Sequence, residues 1–330
     1  MRSRSLVCAG MTFVLAVAVT FTLFAQARGQ DPAQGQDPGQ APGQGQGRGG
    51  GQGRGGGGQG RGGGQGRGAP PAPAKAAPRW PDGQINLGQV EGEPPGLWEV
   101  GPTSIPLARA DKASDFGLFA ADMREPTDPF LASKPKLSQI PFQPWARALF
   151  ANRVQIRNEP YVRCKPSSGA RQVATAYGTQ LLDDREHKRF YIFETGGAHS
   201  FRTIYTDGRA HPANLSPSYR GHSVGHWEGD TLVVDTVGFN ERVWIDNLGM
   251  PTTEQLHTIE RFTRTDFNTI RYEMTVDDPG AYTAPWKSGF YMTWQTGAES
   301  FEFVCQDNNQ APGLIVGDGT SVIVFPLYVP

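Results

Sequence analysis

The sequence predicts a mainly β protein. We expect an antiparallel meander that closes into a lipocalin-like barrel or forms a strongly curved sheet, with an N-terminal arm and one helix. From about residue 178 onward, short apolar or alternating runs are separated by polar turn signals, and no helical pattern lies between them. Eight or nine such strands are enough to curl into a barrel that can hold a small ligand.

Turn signals place the individual strands. Gly229-Asp230 is a two-residue hairpin signal, and Asp266-Phe267-Asn268 is a three-residue loop between two further runs. The predicted strands are Tyr177–Leu182, Arg189–Glu194, Phe201–Tyr205, His222–Glu228, Thr231–Val237, Leu256–Thr265, Thr269–Val276, Phe290–Gln295 and Ser300–Val304.

Residues 1–27 have the pattern of an export signal, which predicts a periplasmic or secreted protein. Two arginines precede the apolar run Leu6–Ala25, and Ala25-Gln26-Ala27 is a small-x-small cleavage site. The apolar run is also close to the roughly 20 residues that a membrane helix needs, so an uncleaved anchor is the alternative. If the signal is cleaved, no transmembrane segment remains.

Residues 28–79 are rich in Gly, Gln, Arg and Pro and are predicted to be a disordered linker. Spaced Arg-Gly units occur in RNA-binding tails, but the export signal and the net charge of −1 argue against a nucleic-acid partner. Contact with an anionic surface or a cell-wall polymer is the favoured use. Residues 80–160 are interpreted as an extended arm with a helix over 144–157, and residues 161–330 as the β domain.

After removal of the signal, Cys164 and Cys305 are the remaining cysteines. In an oxidising compartment such a pair favours a disulfide, and two buried free thiols are the alternative. Neither cysteine has metal-ligand spacing, so zinc is not predicted, and nothing in the sequence indicates a cofactor.

The hairpin around Gly229-Asp230 concentrates titratable side chains on one face. Strand alternation places His222, His226, Glu228 and Asp235 together, and Ser223, Gly225, Trp227, Leu232 and Val234 on the opposite face. The segment 221–225 fits G-x-S-x-G, but a hairpin follows it where a nucleophile elbow needs a helix. Two histidines four strand residues apart, about 13 Å, do not share one metal ion.

Two interpretations of the titratable face stay open. It is exposed to solvent, or it lines a barrel pocket in which these groups bind a ligand or transfer a proton. In the second case His226 is the general base, Asp235 orients it, and Arg261 or His257 stabilises charge. His222, Glu228, Trp244, Trp286 and Trp294 then contact the ligand. The next hairpin pairs His257 with Asp277 and Arg261 with Glu273, the latter as an ion pair.

Several segments together resemble a large family of uncharacterised exported proteins of soil bacteria, Acidobacteria among them. The resemblance extends over about residues 144–305, with a weaker match at 81–83, and WEGDTLVVDT is its most specific part. It implies export and a shared β domain, and it assigns no catalytic residue. The matching segments are Asp207–Pro212, Gly221–Asn240, Leu256-His257 with Glu260-Arg261, and Asp277-Asp278-Pro279 with Tyr282, Pro285 and Trp286.

Three functions follow from these features. The first is an exported barrel that binds a small, partly apolar molecule inside, held by aromatic walls and a few polar groups. The second is an enzyme, a hydrolase, lyase or isomerase, that uses a His/Asp pair in the same pocket. The third is a structural or adhesion role at the cell surface, which the linker favours.

Overall fold

The computed structural model describes residues 74–101, 105–117, 121–156, 158–175, 177–196 and 201–305. The chain divides into two units, Met1–Gly68 and Ala69–Pro330, and all the described residues belong to the second. The predicted signal segment and most of the predicted linker therefore lie outside the described residues. Within the described ranges, no helix has the length and apolar character needed to cross a bilayer.

Nine strands form a closed barrel, and the predicted mainly β barrel is confirmed. Each strand pairs with its neighbours in chain order, and β1 pairs with β9 to complete the circle. The register deduced for the second hairpin is observed, since His257 lies opposite Asp277 and Arg261 opposite Glu273. In the first hairpin, His222 lies opposite Val237. The strands β1 to β9 are Gly96–Glu99, Thr179–Asp184, Arg189–Glu194, Phe201–Tyr205, His222–Glu228, Thr231–Val237, His257–Asp266, Thr269–Asp277 and Trp286–Thr296.

The barrel differs from an all-antiparallel meander in one strand pair. β4 and β5 run parallel, with Ile204 beside Ser223 and Tyr205 beside Val224. Two parallel neighbours cannot be joined by a tight turn, because the chain must return to the end of the barrel from which β4 started. Residues 206–221 make this return without any helix or strand.

The predicted strand Ser300–Val304 is wrong, and a strand from the arm was missed. Gly96–Glu99 occupies the position between β9 and β2 that closes the barrel. Residues 300–304 are irregular, and the rings of Phe301 and Phe303 lie 5.4 and 5.6 Å from that of Tyr177. The backbone groups of β9 are already paired with the arm, so the last segment packs through its side chains.

Inward-pointing side chains pack the barrel interior. The largest come from five different strands and are at most 1% exposed. Because each is fully buried, each contributes roughly 1.5–3 kcal/mol of burial free energy. They are Trp98, Phe190, Phe262, Tyr272 and Phe290. The interior of the described barrel is therefore a core of aromatic and aliphatic groups.

A polar network crosses this core beside the parallel strands. The Arg202 guanidinium donates to Ser223 Oγ at 2.9 Å, to Thr236 Oγ1 at 2.7 Å and to both carboxylate oxygens of Glu260. The Tyr272 hydroxyl donates to Glu260 Oε1 at 2.8 Å. Because every charge in it is paired and hydrogen-bonded, the network is tolerated in the interior.

Both ends of the barrel are covered. At the end that carries the 229–230 and 266–268 turns, the arm inserts Ile85 and Leu87, each 1% exposed. At the opposite end lie the 238–256 connection and two helices, α2 Pro144–Ile156 and α3 Gly169–Val173. The short helix α1, Pro129–Ala132, lies on the outer wall, where Phe130 packs on Tyr291.

The helix predicted over 144–157 is present as α2. Its buried residues are Ala146, Phe150 and Val154, because the indole of Trp145 instead reaches sideways to donate to the Gly280 carbonyl at 2.9 Å.

Candidate functional site

The face that carries His222, His226 and Asp235 lies on the outside of the barrel. Its opposite face is buried, with Leu232 and Val234 at 0% exposure. The expectation that these titratable groups line an interior pocket is therefore wrong. Turning the apolar face inward removes hydrocarbon from water, whereas turning the other face inward would desolvate two imidazoles and two carboxylates.

On this outer wall three imidazoles gather around one carboxylate. Asp235 Oδ1 accepts from His257 Nε2 at 2.9 Å and from His211 Nε2 at 3.1 Å. The Nδ1 atoms of His211 and His222 are 2.8 Å apart. We call His211, His222, Asp235 and His257 the relay cluster. The side chains of Asp235, His211 and His257 are 35%, 21% and 37% exposed, so the cluster is accessible from solvent.

The parallel β4–β5 pair explains how His211 reaches the cluster. The connection 206–221 returns along the outside of the barrel and brings its imidazole onto β5 and β6. Gly221 ends this connection with φ +63°, and a Cβ there would lie 2.5 Å from the Val237 carbonyl oxygen. Only glycine fits this close approach, which places His222 at the start of β5.

The surroundings of His222 favour its neutral form. Burial lowers the pKa of His222 most, and electrostatic interactions with the neighbouring His211 and Arg209 lower it further. The ring of His222 stacks on that of Tyr205, with 5.3 Å between the ring centroids. The Arg209 guanidinium lies 4.0 Å from the centroid of the same Tyr205 ring. A neutral imidazole at neutral pH can accept a proton.

The hydrogen bonds then set the tautomers. A carboxylate only accepts, so His211 Nε2 carries the proton that it donates to Asp235. In neutral His211 the Nδ1 atom is an acceptor, so His222 must donate from its own Nδ1. This leaves the lone pair on His222 Nε2, at the end of the row, as the base of the cluster.

His226 belongs to a different group of side chains. Its Nε2 lies 3.1 Å from Glu228 Oε1, and Arg261 donates to Glu228 Oε2 at 2.9 Å. The predicted pairing of His226 with Asp235 is wrong, because strand twist and the arrival of His211 leave Asp235 to other partners. The predicted Arg261–Glu273 ion pair is also not made: the Glu273 carboxylate instead lies 3.2 Å from Arg271 Nε.

The three predicted ligand-contacting tryptophans lie in the core. Trp244, Trp286 and Trp294 are 8%, 7% and 7% exposed. The ring of Trp294 packs on Trp98 at 5.0 Å, and that of Trp286 on Tyr282 at 5.4 Å. They are separate from the relay cluster, which lies on the outer wall.

A groove of about 140 Å³ lies between α1 and the outer wall of β7, β8 and β9. Burial lowers the pKa of Lys134 in this groove to about 8, although the Asp246 carboxylate acts in the opposite direction. The groove is lined by Phe130, Ser133, Lys134, Ile259, Arg261, Glu273, Met274, Thr275, Lys287, Ser288 and Gly289.

Two further observations bear on the chemistry. The pair Cys164 and Cys305 forms a disulfide with a Cα–Cα distance of 5.7 Å. Among the described side chains, no group of three or more His, Cys, Asp or Glu residues is arranged to hold a metal ion.

Sequence reasoning did not place His211 in the site. The residue lies in the Asp207–Pro212 segment, and an antiparallel meander gave no reason to bring that segment onto β6. A 16-residue connection with a histidine between two strands was the available signal.

Comparison of the chain with protein-family models, with curated proteins and with solved structures finds no match.

Proposed function

We propose that this chain is an exported β-barrel enzyme that transfers protons at the relay cluster, as a hydrolase, a lyase or an isomerase. The observation that supports it is a continuous hydrogen-bonded row from His222 through His211 to Asp235 on an accessible wall. An orienting carboxylate behind an imidazole is the arrangement that activates a histidine base.

In this proposal His222 Nε2 takes a proton from a substrate or from an attacking water. His222 Nδ1 then passes its own proton to His211 Nδ1. The positive charge moves from the neighbourhood of Arg209, where it is disfavoured, to the neighbourhood of Asp235, where it is favoured. His257 donates to the same carboxylate oxygen and fixes its orientation. His222 is the general base, and His211, Asp235 and His257 are positioning residues.

The test compares His222→Ala with His226→Ala, two histidines on the same strand and the same wall. Activity is screened on chromogenic esters, glycosides and polysaccharides, and the pH–rate profile is recorded. We expect His222→Ala to lose roughly 10²–10⁴-fold in kcat/KM, and His226→Ala to retain activity, because His226 contacts Glu228 and not the row. Equal activity of His222→Ala and the unaltered chain would contradict the proposal.

A second readout does not depend on a substrate. Long-range ¹⁵N–¹H correlations of the imidazole rings report which nitrogen carries the proton. At neutral pH we expect the proton on Nδ1 of His222 and on Nε2 of His211. In an Asp235→Asn variant we expect this pattern of protonated nitrogens to be lost. The opposite tautomer on His222 would place a donor at the exposed end and would remove the base.

Binding of a small, partly apolar ligand is the second candidate function. The packed interior argues against a ligand inside the barrel, whereas the groove beside α1 combines Phe130 with Lys134 and Arg261. Equilibrium binding of fatty and aromatic carboxylates to the unaltered chain and to Phe130→Ala tests this candidate. With either function, we propose that the protein is periplasmic or secreted. Its linker would then contact an anionic surface or a cell-wall polymer.

A further inference from the structure

The outer wall of β2, β3 and β4 exposes an unusual number of apolar rings. Phe201 is 55% exposed and Leu182 is 50% exposed, although both lie in regular strands. The ring of Phe201 is 5.7 Å from that of Phe193 and 5.9 Å from that of Tyr191. We call Leu182, Tyr191, Phe193 and Phe201 the aromatic wall. Contiguous apolar surface of this kind marks an interaction site.

The aromatic wall is continuous with the relay cluster. Tyr191 pairs with Thr203. The β4–β5 register pairs Ile204 with Ser223, and its continuation by one residue places Thr203 next to His222. Since neighbouring strands are about 4.8 Å apart, Tyr191 and His222 are separated by about 10 Å across the small Thr203 side chain. A ring-shaped group that lies on Thr203 would contact Tyr191 on one side and His222 on the other.

Cationic groups border the same surface. The Arg189 side chain hydrogen-bonds Tyr191, and its guanidinium lies 5.9 Å from the Tyr205 ring. Arg209 lies 4.0 Å from that ring and is paired with Asp207. In the described residues no carboxylate lies within salt-bridge distance of Arg189.

The geometry points to an acidic polysaccharide, a chain of sugars that carry carboxylates, as the substrate of the relay cluster. The wall is an open barrel exterior, which suits a polymer lying along it and cannot enclose a small molecule. The C–H faces of sugar rings pack on aromatic rings, and their carboxylates complement Arg189. The assignment of the polymer as substrate rests on the proposed acid–base function, whereas its binding to the wall does not.

The experiment measures binding of the full chain to polygalacturonate, with dextran as the uncharged polymer, by titration calorimetry. We expect binding to polygalacturonate only, and a Kd raised at least about tenfold in a Phe193→Ala/Phe201→Ala variant and in Arg189→Gln. Met123→Ala is the matched control, since Met123 is an exposed apolar residue on the arm, 45% accessible. His222→Ala should lose turnover, and its Kd should rise less than that of the aromatic variant, because Phe193, Phe201 and Arg189 remain in place.

The outcomes separate the two proposals. Binding of polygalacturonate to the unaltered chain without turnover removes the assignment of the polymer as substrate and leaves the wall as a binding surface. Equal binding to dextran, or unchanged binding in the aromatic variant, would overturn the wall assignment. Self-association that disappears in the aromatic variant would identify the wall as a contact between copies of the chain. In a Phe201→Cys variant without polymer, the new thiol should react with an alkylating reagent. Resistance to alkylation would show that another segment covers the wall, and this result would also overturn the wall assignment.

Discussion

At the scale of single residues, the position of a histidine decides what it can do. His222 and His226 lie on the same strand and face the same way, yet only His222 joins a row that ends on Asp235. His226 is 63% exposed and is held by Glu228. Both residues are imidazoles able to exchange protons near neutral pH, but only the hydrogen-bond partners of His222 fit the proposed proton transfer.

Arg209 offers a direct test of this electrostatic argument. Burial contributes most to the lowered pKa of His222, and the Arg209 charge contributes in the same direction. Arg209→Ala removes a cation and frees the anionic Asp207, and both changes favour the protonated imidazole. We expect the His222 pKa to rise, so that the acid limb of the pH–rate profile moves to higher pH.

The measurement is an NMR titration of the imidazole C–H signals in both proteins. The His226 signals are the internal control, since Glu228 and Arg261 surround that ring and Arg209 does not. A lower His222 pKa in Arg209→Ala would mean that the arginine acts by another route.

At the scale of strands, much of the fold could be predicted and the site could not. Gly229-Asp230 determined the register of β5 and β6, because a two-residue turn leaves no choice of partner. The parallel pairing of β4 and β5 depends on contacts between distant segments, for which a single sequence carries no signal. His211 reaches Asp235 only through that pairing, so the predicted site held Asp235 and His257 and lacked the residue that connects them to His222.

The same parallel pair is one of the two narrowest strand pairings of the barrel, since only β1 and β2, with a single residue pair, share fewer. Only two residue pairs join β4 to β5, whereas β5 and β6 share seven. Inside the barrel, Arg202 extends from β4 to Ser223 on β5, Thr236 on β6 and Glu260 on β7. We infer that this buried arginine holds the β4–β5 pairing from within.

Arg202→Met should therefore destabilise the fold by about 3–5 kcal/mol, since it leaves the Glu260 carboxylate buried without a counter-charge. Arg202→Met/Glu260→Leu should regain much of this loss, because no unpaired charge remains. Urea unfolding followed by circular dichroism measures both. Arg124→Ala, at an exposed pair with Asp122, is the control with little expected effect. A double variant less stable than the single one would contradict the charge argument.

At the scale of the whole molecule, the disulfide connects the segment that precedes β2 to the segment that follows β9. Cys164 lies between α2 and α3, and Cys305 follows β9, with a sequence separation of 141. In the chain-entropy treatment a loop of this length stabilises the fold by about 4–5 kcal/mol. The bond forms in an oxidising compartment, so the stability of the domain is tied to the proposed export.

The disulfide also reaches the relay cluster through its neighbours. Ser168, four residues after Cys164, donates to the Tyr219 carbonyl, and Arg220 pairs with Glu194. These contacts hold the end of the connection that carries His211 and leads into His222. Loss of the bond should therefore loosen the 158–175 segment, the connection and the cluster together.

We expect a Cys164→Ser/Cys305→Ser variant to unfold at lower urea concentration by an amount that corresponds to at most about 4–5 kcal/mol. Reductant should give the same shift in the unaltered chain and none in the variant, which serves as the control. In the absence of urea, the His211 and His222 ring signals should broaden in the variant, while those of His226 stay sharp. A stability loss with unchanged His211 and His222 signals would show that the disulfide supports the barrel without reaching the site, because the hydrogen bonds of Asp235 alone would then keep the row in place.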